Sequence, residues 1–257
     1  MKIDEFIKKV TELGLKVDKD ILNKLDVYAK FLIEYNNHTN LTAITILDDI
    51  YQKHFYDSLT ITKVIDLNSY ENLFDFGTGA GFPGMVLKIF FPNLNVTLLD
   101  SNNKKTKFLL ELKEKLALDN LEIINARVES LCKDRLNYYD IVTARAVTNM
   151  PVLTELAMPL VKKDRFFIAM KGSNNEEIEK SLYAIQKMNG KVEEINTFLL
   201  SPSCGGRNII KIKKIKTTTK DEIRPYEKII KKPLIKLKWK FKLTKIRKCS
   251  IILMSKE

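Results

Sequence analysis

The sequence predicts an α/β protein built on a seven-stranded, mainly parallel sheet, with a helical segment in front of it. Three observations lead to this fold class. Residues 1–66 carry apolar side chains at helical spacing, residues 71–215 alternate short apolar runs with helical stretches, and a glycine-rich turn follows the first of those runs. Strands that alternate with helices in this way form βαβ units, in which helices cover both faces of a parallel sheet.

The N-terminal segment, residues 1–66, is predicted to be helical. Residues 18–35 and 47–65 each place apolar side chains on a stripe that repeats about every 3.6 residues. Residues 36–44, NNHTNLTAI, are polar and follow neither helical nor strand spacing. We therefore expect helices joined by a loop over residues 36–44.

The sheet domain, residues 67–215, should contain seven strands separated by helices. The strand candidates are residues 72–76, 95–100, 121–126, 139–144, 165–171, 192–200 and 208–215. Helices are expected near residues 85–91, 104–116, 151–160 and 175–188. Only SPSCGGR joins the last two runs, which is too short for a crossover helix, so the last strand is predicted to be antiparallel in a hairpin at one edge.

The net charge of +12 lies almost entirely in a basic C-terminal tail, residues 216–257. Residues 214–257 hold 15 Lys and Arg against 4 Asp and Glu, which leaves a net charge of +1 for the first 213 residues. A basic tail favours a polyanionic partner, because neutralising phosphates releases condensed counterions. A tail that only improves solubility has the same composition, so both interpretations stay open.

The end of the tail contains KLKWKFKL, residues 236–243, in which basic and apolar residues alternate. This period of two is typical of a strand or of an RNA-binding ribbon, in which Trp239 and Phe241 could stack on bases. An extension without function explains the same residues. We assign no site residue to it.

Several classes of protein are excluded by composition. No run approaches the roughly 18 apolar residues of a membrane span. The N-terminus, MKIDEFIKKV, lacks the apolar stretch and cleavage site of a signal peptide. Cys132, Cys204 and Cys249 are odd in number and widely spaced, which argues against disulfides and against zinc. We expect a cytoplasmic protein with free thiols, no metal and no membrane contact.

The glycine-rich turn DFGTGAGFPG, residues 75–84, points to a ligand. Glycines between a strand and a helix permit positive φ and let a ligand approach the backbone, and the helix N-terminus offers free N–H groups. Gly79, Gly81 and Gly84 satisfy the dinucleotide pattern GxGxxG. This pattern alone is weak evidence for any one ligand.

Two carboxylates narrow the choice of ligand for this turn. Asp75 stands two residues before the first glycine, where it would repel a pyrophosphate but suit a ligand with an amino group and a sulfonium. Asp100 ends the second strand, where a carboxylate can accept both hydroxyls of a ribose. Asp100 suits NAD equally well, so Asp75 is the residue that favours S-adenosylmethionine. A strand-end or N-cap role is the alternative for Asp75.

Seven stretches are similar, in order and spacing, to the RsmG (GidB) family of bacterial methyltransferases. They are NLTAI (40–44), KHFYDSL (53–59), DFGTGAGFPG (75–84), LLDSNNKKTKFL (98–109), ARVESL (126–131), TARAV (143–147) and MKG (170–172). The resemblance implies a class I, Rossmann-like methyltransferase fold. It also implies S-adenosylmethionine as cofactor and, as reaction, methylation of guanine N7 in 16S rRNA of the small ribosomal subunit.

The resemblance also implies which residues contact the cofactor. Together with the two carboxylates and the glycines, the predicted set is Asp75, Gly77, Gly79, Gly81, Phe82, Asp100, Val128, Glu129 and Arg145. Val128 stands where relatives commonly have alanine. Arg145 follows the fourth strand, so it could instead meet an RNA phosphate or position the reactants.

The RNA contacts are predicted at Lys171, at Arg207 and along the basic run from Lys211. Guanine N7 has a lone pair and no hydrogen, so methylation needs no general base, and we predict no catalytic residue. His38 and His54 should therefore be a helix-surface or a hydrogen-bonded loop histidine.

A second function remains open on the same fold. A non-catalytic RNA-binding or ribosome-assembly factor could carry the same basic residues, and measurable affinity for S-adenosylmethionine would separate it from an enzyme. We expect a monomer in either case.

Overall fold

A seven-stranded sheet forms the centre of the computed structural model, which describes residues 1–132 and 134–236. Its strands are β1 (Asn72–Phe76), β2 (Asn95–Asp100), β3 (Leu121–Asn125), β4 (Tyr139–Arg145), β5 (Val161–Gly172), β6 (Gly190–Ser201) and β7 (Gly205–Lys214). All seven lie where the apolar runs predict them, with ends that differ by at most four residues. The short strands β1 and β4 are almost wholly buried because helices cover both faces of the sheet.

The strand order is β3-β2-β1-β4-β5-β7-β6. Strands β1 to β5 pair in parallel, whereas β7 runs antiparallel to both β5 and β6. This arrangement confirms the mainly parallel sheet with an antiparallel last strand. The chain leaves β1 toward β2 on one side and reaches β4 on the other, so a crevice opens at the carboxyl end of β1.

Helices surround the sheet and precede it. They are α1 (Ile3–Glu12), α2 (Lys19–Thr39), α3 (Leu47–Asp49), α4 (Asp57–Leu59), α5 (Gly84–Phe90), α6 (Asn103–Lys115), α7 (Val128–Leu131), α8 (Met150–Ala157), α9 (Asn175–Lys187) and α10 (Tyr226–Lys231). A π-helical turn, Ile50–Tyr56, joins α3 to α4. Residues 47–65 are thus an interrupted helical segment rather than the uniform helix that their periodicity predicts.

The predicted loop over residues 36–44 is wrong in its first half. Helix α2 continues to Thr39, whose hydroxyl donates to the carbonyl oxygen of Tyr35 at 2.6 Å. The helix ends at Asn40, which adopts a left-handed conformation with φ of +52°. Asparagine tolerates this conformation better than most residues. The local sequence is therefore compatible with a helix end at Asn40 but does not predict it.

The N-terminal helices pack directly on the glycine-rich turn. The Tyr28 hydroxyl of α2 donates to the carbonyl oxygen of Ala80, and the Tyr28 ring stacks on Phe82 with centroids 5.3 Å apart. Tyr28 is fully buried in a hydrophobic cluster that joins α1 and α2 to α5, α6 and one face of the sheet. Helix α2 therefore contacts the turn directly, and the cluster around Tyr28 stabilises the turn against one face of the sheet.

The chain beyond β7 packs on the opposite face of the sheet. Thr218 and Ile229 are both 3% exposed, and α10 contacts α8. Part of the predicted basic tail is therefore folded against the domain. Residues 237–257, which include Trp239, Phe241 and Cys249, lie outside the described residues. Within the described ranges no helix has the length and apolar character needed to traverse a lipid bilayer.

Candidate functional site

The glycine-rich turn connects β1 to α5 at the carboxyl end of the sheet. Gly77, Gly79 and Gly81 have φ values of +65°, +64° and +101°. These are conformations that residues with a Cβ rarely adopt, as the sequence predicts. The backbone N–H of Thr78 donates to the carbonyl oxygen of Leu99 at 3.1 Å, which fixes the turn to β2.

Gly84 serves a different purpose from the other three glycines. Its N–H donates to Oδ2 of Asp75 at 2.8 Å, and the Thr78 hydroxyl donates to the same oxygen at 2.6 Å. A Cβ at Gly84 would lie 2.8 Å from this oxygen and 2.3 Å from Cδ2 of Leu98. The fourth glycine therefore leaves room for the Asp75 carboxylate.

Asp75 lies beneath the turn and is fully buried. Its Oδ1 has no hydrogen-bond partner among the described residues. Burial raises the pKa of Asp75 to about 7, against the opposing effects of its hydrogen bonds and of Arg145. Oδ2 thus stabilises the turn through two hydrogen bonds, whereas Oδ1 is an unpaired acceptor in a buried environment.

Asp100 stands at the carboxyl end of β2, where the sequence predicts a ribose-binding carboxylate. Oδ2 accepts from the N–H of Gly79, and Oδ1 accepts from the N–H of Asn102, both at 2.9 Å. Lys105 lies 3.8 Å from Oδ2. The carboxylate is thereby held in one orientation at the edge of a cleft that it lines.

This cleft has a volume of about 370 Å³, and we call it the cofactor cleft. Four of the predicted cofactor residues line it: Gly77, Asp100, Val128 and Glu129. The lining also includes residues that the sequence did not single out, among them Arg127, Val152, Leu156, Tyr226 and Ile230. The cleft combines polar groups, among them the Asp100 carboxylate at the end of β2, with apolar side chains such as Val152 and Leu156, which suits a nucleoside with its polar ribose and flat base.

Phe82 lies inside the protein rather than on the cleft. Its ring is sandwiched between His54, with centroids 4.2 Å apart, and Tyr28. Phe82 is 5% exposed and is absent from the lining of the cofactor cleft. Its contact with a cofactor stays a prediction; the packing it makes here anchors the turn to the N-terminal helices.

A second cavity, of about 490 Å³, adjoins the cofactor cleft, since Ala146 lines both. We call it the basic cavity because Lys53, Arg145, Lys171 and Arg207 line it. Asp57 lies between two of these cations. Its Oδ2 accepts from Arg145 Nη1 at 3.1 Å and its Oδ1 from Arg207 Nε at 3.0 Å.

The Arg145–Asp57–Arg207 cluster is nearly enclosed. The Asp57 side chain is 5% exposed, and those of Arg145 and Arg207 are 15% and 23% exposed. Two guanidinium groups share one carboxylate, so the cluster keeps a net positive charge. Such a charge favours an anionic or electron-rich ligand in the basic cavity.

His54 also lines the basic cavity but is 8% exposed, so the expectation of a surface position is wrong for it. Burial, followed by the charge of Arg145, lowers the pKa of His54 to about 3. Its Nδ1 lies 3.3 Å from Arg145 Nη2, and its Nε2 lies 3.1 Å from the Thr42 hydroxyl. The imidazole is therefore neutral at ordinary pH, with a hydrogen-bond partner at each nitrogen.

The predicted RNA-contacting cations differ in their ion pairs and in their burial. Lys171 pairs with Glu177 at 2.7 Å and donates to the carbonyl oxygen of Thr148. In the basic run of β7, Lys211 pairs with Glu193 at 3.0 Å, and Lys214 is fully buried. Much of this run therefore stabilises the sheet, whereas Lys171 and Arg207 both line the basic cavity, where Arg207 is paired with Asp57.

Known proteins are similar to most of this chain. The sequence model of the family described as rRNA small subunit methyltransferase G (GidB) matches residues 21–204. A Lachnoclostridium phytofermentans protein named ribosomal RNA small subunit methyltransferase G is 42% identical over 236 residues, which cover 91% of this chain and 98% of that protein. The Bacillus subtilis protein of the same name is 42% identical over 223 residues, covering 86% of this chain and 93% of its own length.

The fold is shared with solved structures of much lower identity. A protein from Agrobacterium tumefaciens, described as a predicted O-methyltransferase, superposes with a TM-score of 0.51 at 17% identity and covers 61% of this chain and 79% of that one. Such a likeness shows the fold alone, since one fold serves many reactions. It confirms the class I methyltransferase architecture.

Proposed function

The chain belongs to the rRNA small subunit methyltransferase G family, and from this premise we propose that it transfers a methyl group from S-adenosylmethionine to guanine N7 in 16S rRNA. It is an rRNA methyltransferase. The observation that carries the proposal is the junction of two cavities at Ala146, one suited to a nucleoside and the other basic.

The residues of the cofactor cleft fit S-adenosylmethionine. A Cβ at Gly79 would meet no heavy atom within 4 Å, so the turn leaves open space beside its backbone. Asp100 offers a fixed carboxylate for the ribose hydroxyls, and Val128 and Glu129 would border the adenine. Asp75 is fully buried and does not line the cleft, so its carboxylate would favour a positively charged ligand through its electric field and not by direct contact.

The basic cavity supports the proposal that the methyl acceptor is a guanine of RNA. Arg145 and Arg207 would bind phosphate or the guanine oxygen, because guanidinium groups donate hydrogen bonds in a rigid fork. The guanine must leave its stack to reach this depth, as in other enzymes that modify a base. Both cavities are built from one chain, so a monomer is sufficient for the proposed reaction. Because the proposed substrate is ribosomal RNA, we place the enzyme with ribosomes in the bacterial cytoplasm.

The chemistry needs positioning rather than proton transfer. S-adenosylmethionine, when bound, supplies a methyl group on a positively charged sulfur. Guanine N7 already has a free lone pair, so the protein has no proton to remove, and His54, whose pKa is lowered to about 3, is not placed to act as an acid. Arg145 and Arg207 would orient the base, and in-line alignment can lower a barrier by about 7 to 11 kcal/mol.

The test is methyl transfer with labelled S-adenosylmethionine to small ribosomal subunits that lack the modification. We expect label on N7 of a guanine in 16S rRNA, with the modified base identified by mass spectrometry. Asp100→Ala should bind S-adenosylmethionine at least about tenfold more weakly, because two ribose hydroxyls lose a charged acceptor.

Asp119→Ala is the matched control, since Asp119 is exposed and absent from the lining of both cavities. It should keep wild-type affinity and activity. Label on an adenine or on protein would contradict the assignment of the acceptor. RNA binding without affinity for S-adenosylmethionine would favour a non-catalytic assembly factor.

A further inference from the structure

Residues 218–234 return across the domain after β7 and reach the cofactor cleft; we call them the C-terminal strap. Thr218 is joined to Asn137 by two hydrogen bonds of 2.9 Å, from Thr218 N to Oδ1 and from Nδ2 to the Thr218 carbonyl oxygen. The family model ends at residue 204 and does not include the strap, but the alignment with the Lachnoclostridium phytofermentans relative, which covers 91% of this chain, does include it.

Glu155 of α8 holds the strap on both sides of α10. The Glu155 side chain is 1% exposed and accepts from Arg224 Nη1 at 2.6 Å and from the N–H of Leu234 at 2.9 Å. Arg224 also donates to the carbonyl oxygens of Lys228 and Lys232. Loss of either ion-pair partner would leave a buried charge, so this attachment fixes α10 against α8.

α10 contributes Tyr226 and Ile230 to the lining of the cofactor cleft. These residues are four apart and therefore share one face of the helix. Ile230 is 46% exposed although it lines a concave site, and the Arg127 guanidinium lies 5.2 Å from the centroid of the Tyr226 ring. This part of the cleft presents an aromatic ring and an apolar side chain that a flat base could cover.

Asp100 and Ser101 line the same cleft at the end of β2. With its ribose at Asp100, a nucleoside would have its base among the apolar lining residues. We propose that the C-terminal strap forms one wall of the nucleoside site, with Tyr226 and Ile230 packing against the adenine of S-adenosylmethionine. This inference rests on the proposed function and assigns a role in it to residues beyond those that the family model matches.

The first test is calorimetric titration with S-adenosylmethionine. Tyr226→Ala should bind about tenfold more weakly, because base–aromatic stacking is lost. Tyr226→Phe keeps the ring and should stay within about twofold of the wild type. Glu227→Gln, at an exposed position on the same helix, is the control and should not change affinity. Equal affinity of Tyr226→Ala and wild type would overturn the inference.

The second test uses the unmodified protein and does not depend on a folded variant. Amide hydrogen exchange is followed in residues 218–234 with and without S-adenosylmethionine. We expect exchange in α10 to slow at least about fivefold on binding, since a ligand that packs on α10 stabilises the strap. Unchanged exchange in α10, with slowed exchange in the glycine-rich turn, would overturn the inference.

The two proposals can fail separately. If the wild type binds S-adenosylmethionine and neither Tyr226→Ala nor α10 responds, the strap is not part of the site and the proposed function stands. If the wild type does not bind S-adenosylmethionine, both proposals are overturned.

Discussion

At the residue scale, the Asp75 carboxylate accepts two hydrogen bonds at Oδ2, while its Oδ1 has no partner among the described residues. Burial raises its pKa to about 7. An aspartate in this state is neutral or charged according to small changes in its surroundings. A cation bound nearby would draw it to the charged form.

Asp75→Asn tests this buried charge. The folded pKa of about 7 exceeds the ordinary value of 3.8, so Asp75 contributes stability that is complete below about pH 4 and is lost as pH rises to about 7. Asparagine can still accept from Thr78 and Gly84 but does not titrate. Between pH 5 and pH 8 we expect the variant to gain about 2 to 3 kcal/mol of unfolding free energy relative to wild type.

Guanidinium denaturation of both proteins at the two pH values measures this gain. The comparison with wild type is needed because His54, whose pKa is lowered to about 3, changes stability in the opposite direction between about pH 3 and 6.5. That contribution is common to both proteins. A constant difference between them would show that Asp75 is already charged at pH 5.

Asp57→Asn tests the cluster in the basic cavity. The change leaves Arg145 and Arg207 without their shared carboxylate, and we expect it to cost about 3 kcal/mol of unfolding free energy, the lower end for a broken buried pair. Methyl transfer should fall mainly through a higher KM for RNA. Affinity for S-adenosylmethionine should stay within about twofold, because Asp57 lines only the basic cavity.

Asp48→Asn is the control for this variant, since the Asp48 side chain is 41% exposed and pairs with that of Lys2, which is 84% exposed. It should change stability by less than about 1 kcal/mol. If Asp57→Asn weakened S-adenosylmethionine binding and left the KM for RNA unchanged, the two cavities would have been assigned the wrong ligands.

At the scale of elements, two irregular segments build the site. The π-helical turn Ile50–Tyr56 brings Lys53 and His54 to the basic cavity and continues directly into α4, which begins with Asp57. Turns of this kind are rare and occur often at functional sites. The glycine-rich turn, by contrast, combines three residues at positive φ with one glycine that serves packing.

Gly84→Ala separates these two uses of glycine. Gly84 lies at the start of α5 without positive φ, so alanine suits its backbone, but the new Cβ would lie 2.3 Å from Leu98 and 2.8 Å from Asp75. We expect a loss of about 1 to 3 kcal/mol from overpacking, measured by thermal unfolding, together with weaker cofactor binding.

Gly172→Ala is the matched control, since a Cβ there would meet no heavy atom within 4 Å and no positive φ opposes it. It should change stability by less than about 0.5 kcal/mol. Equal melting temperatures for the two variants would mean that the turn relaxes to admit a methyl group beside Asp75.

At the scale of the whole molecule, the charge of +12 is distributed unevenly along the sequence. Lys211 and Lys213 of β7 are paired with Glu193 and Asp164 on neighbouring strands. Lys53, Arg145, Lys171 and Arg207 are also paired with carboxylates, but they lie together around the basic cavity. Part of the basic C-terminal tail, residues 237–257, lies outside the described residues.

RNA affinity should depend steeply on salt, whereas cofactor affinity should not. With at least four phosphate contacts, affinity for 16S rRNA should fall about a hundredfold between 50 and 200 mM salt, because each contact releases counterions. S-adenosylmethionine affinity should change less than about twofold over that range. Fluorescence anisotropy with labelled RNA and calorimetry measure the two; a shallow RNA slope would indicate recognition by shape with few phosphate contacts.

Hydrophobic periodicity and glycine spacing predicted the seven strands, their mainly parallel arrangement and the positive-φ turn between β1 and α5. These features depend on residues close in sequence, where the alternation of apolar side chains and the φ range of glycine act locally. Helix boundaries were less accurate. Helix α2 ends at Asn40, and the π-helical turn interrupts the next helical segment. Both features depend on tertiary packing, which no local sequence pattern encodes.

By itself the sequence determined the sheet, the glycine-rich turn and the position of Asp100 at the end of β2, since each rests on short-range spacing. Only the tertiary structure joined Asp57 to Arg207, which is 150 residues away, and brought Tyr226 to the cleft beside Asp100. It also buried His54 and Asp75, and burial set the direction of their pKa shifts. Contacts between distant residues and desolvation arise only when the whole chain is packed, so neither can be read from spacing.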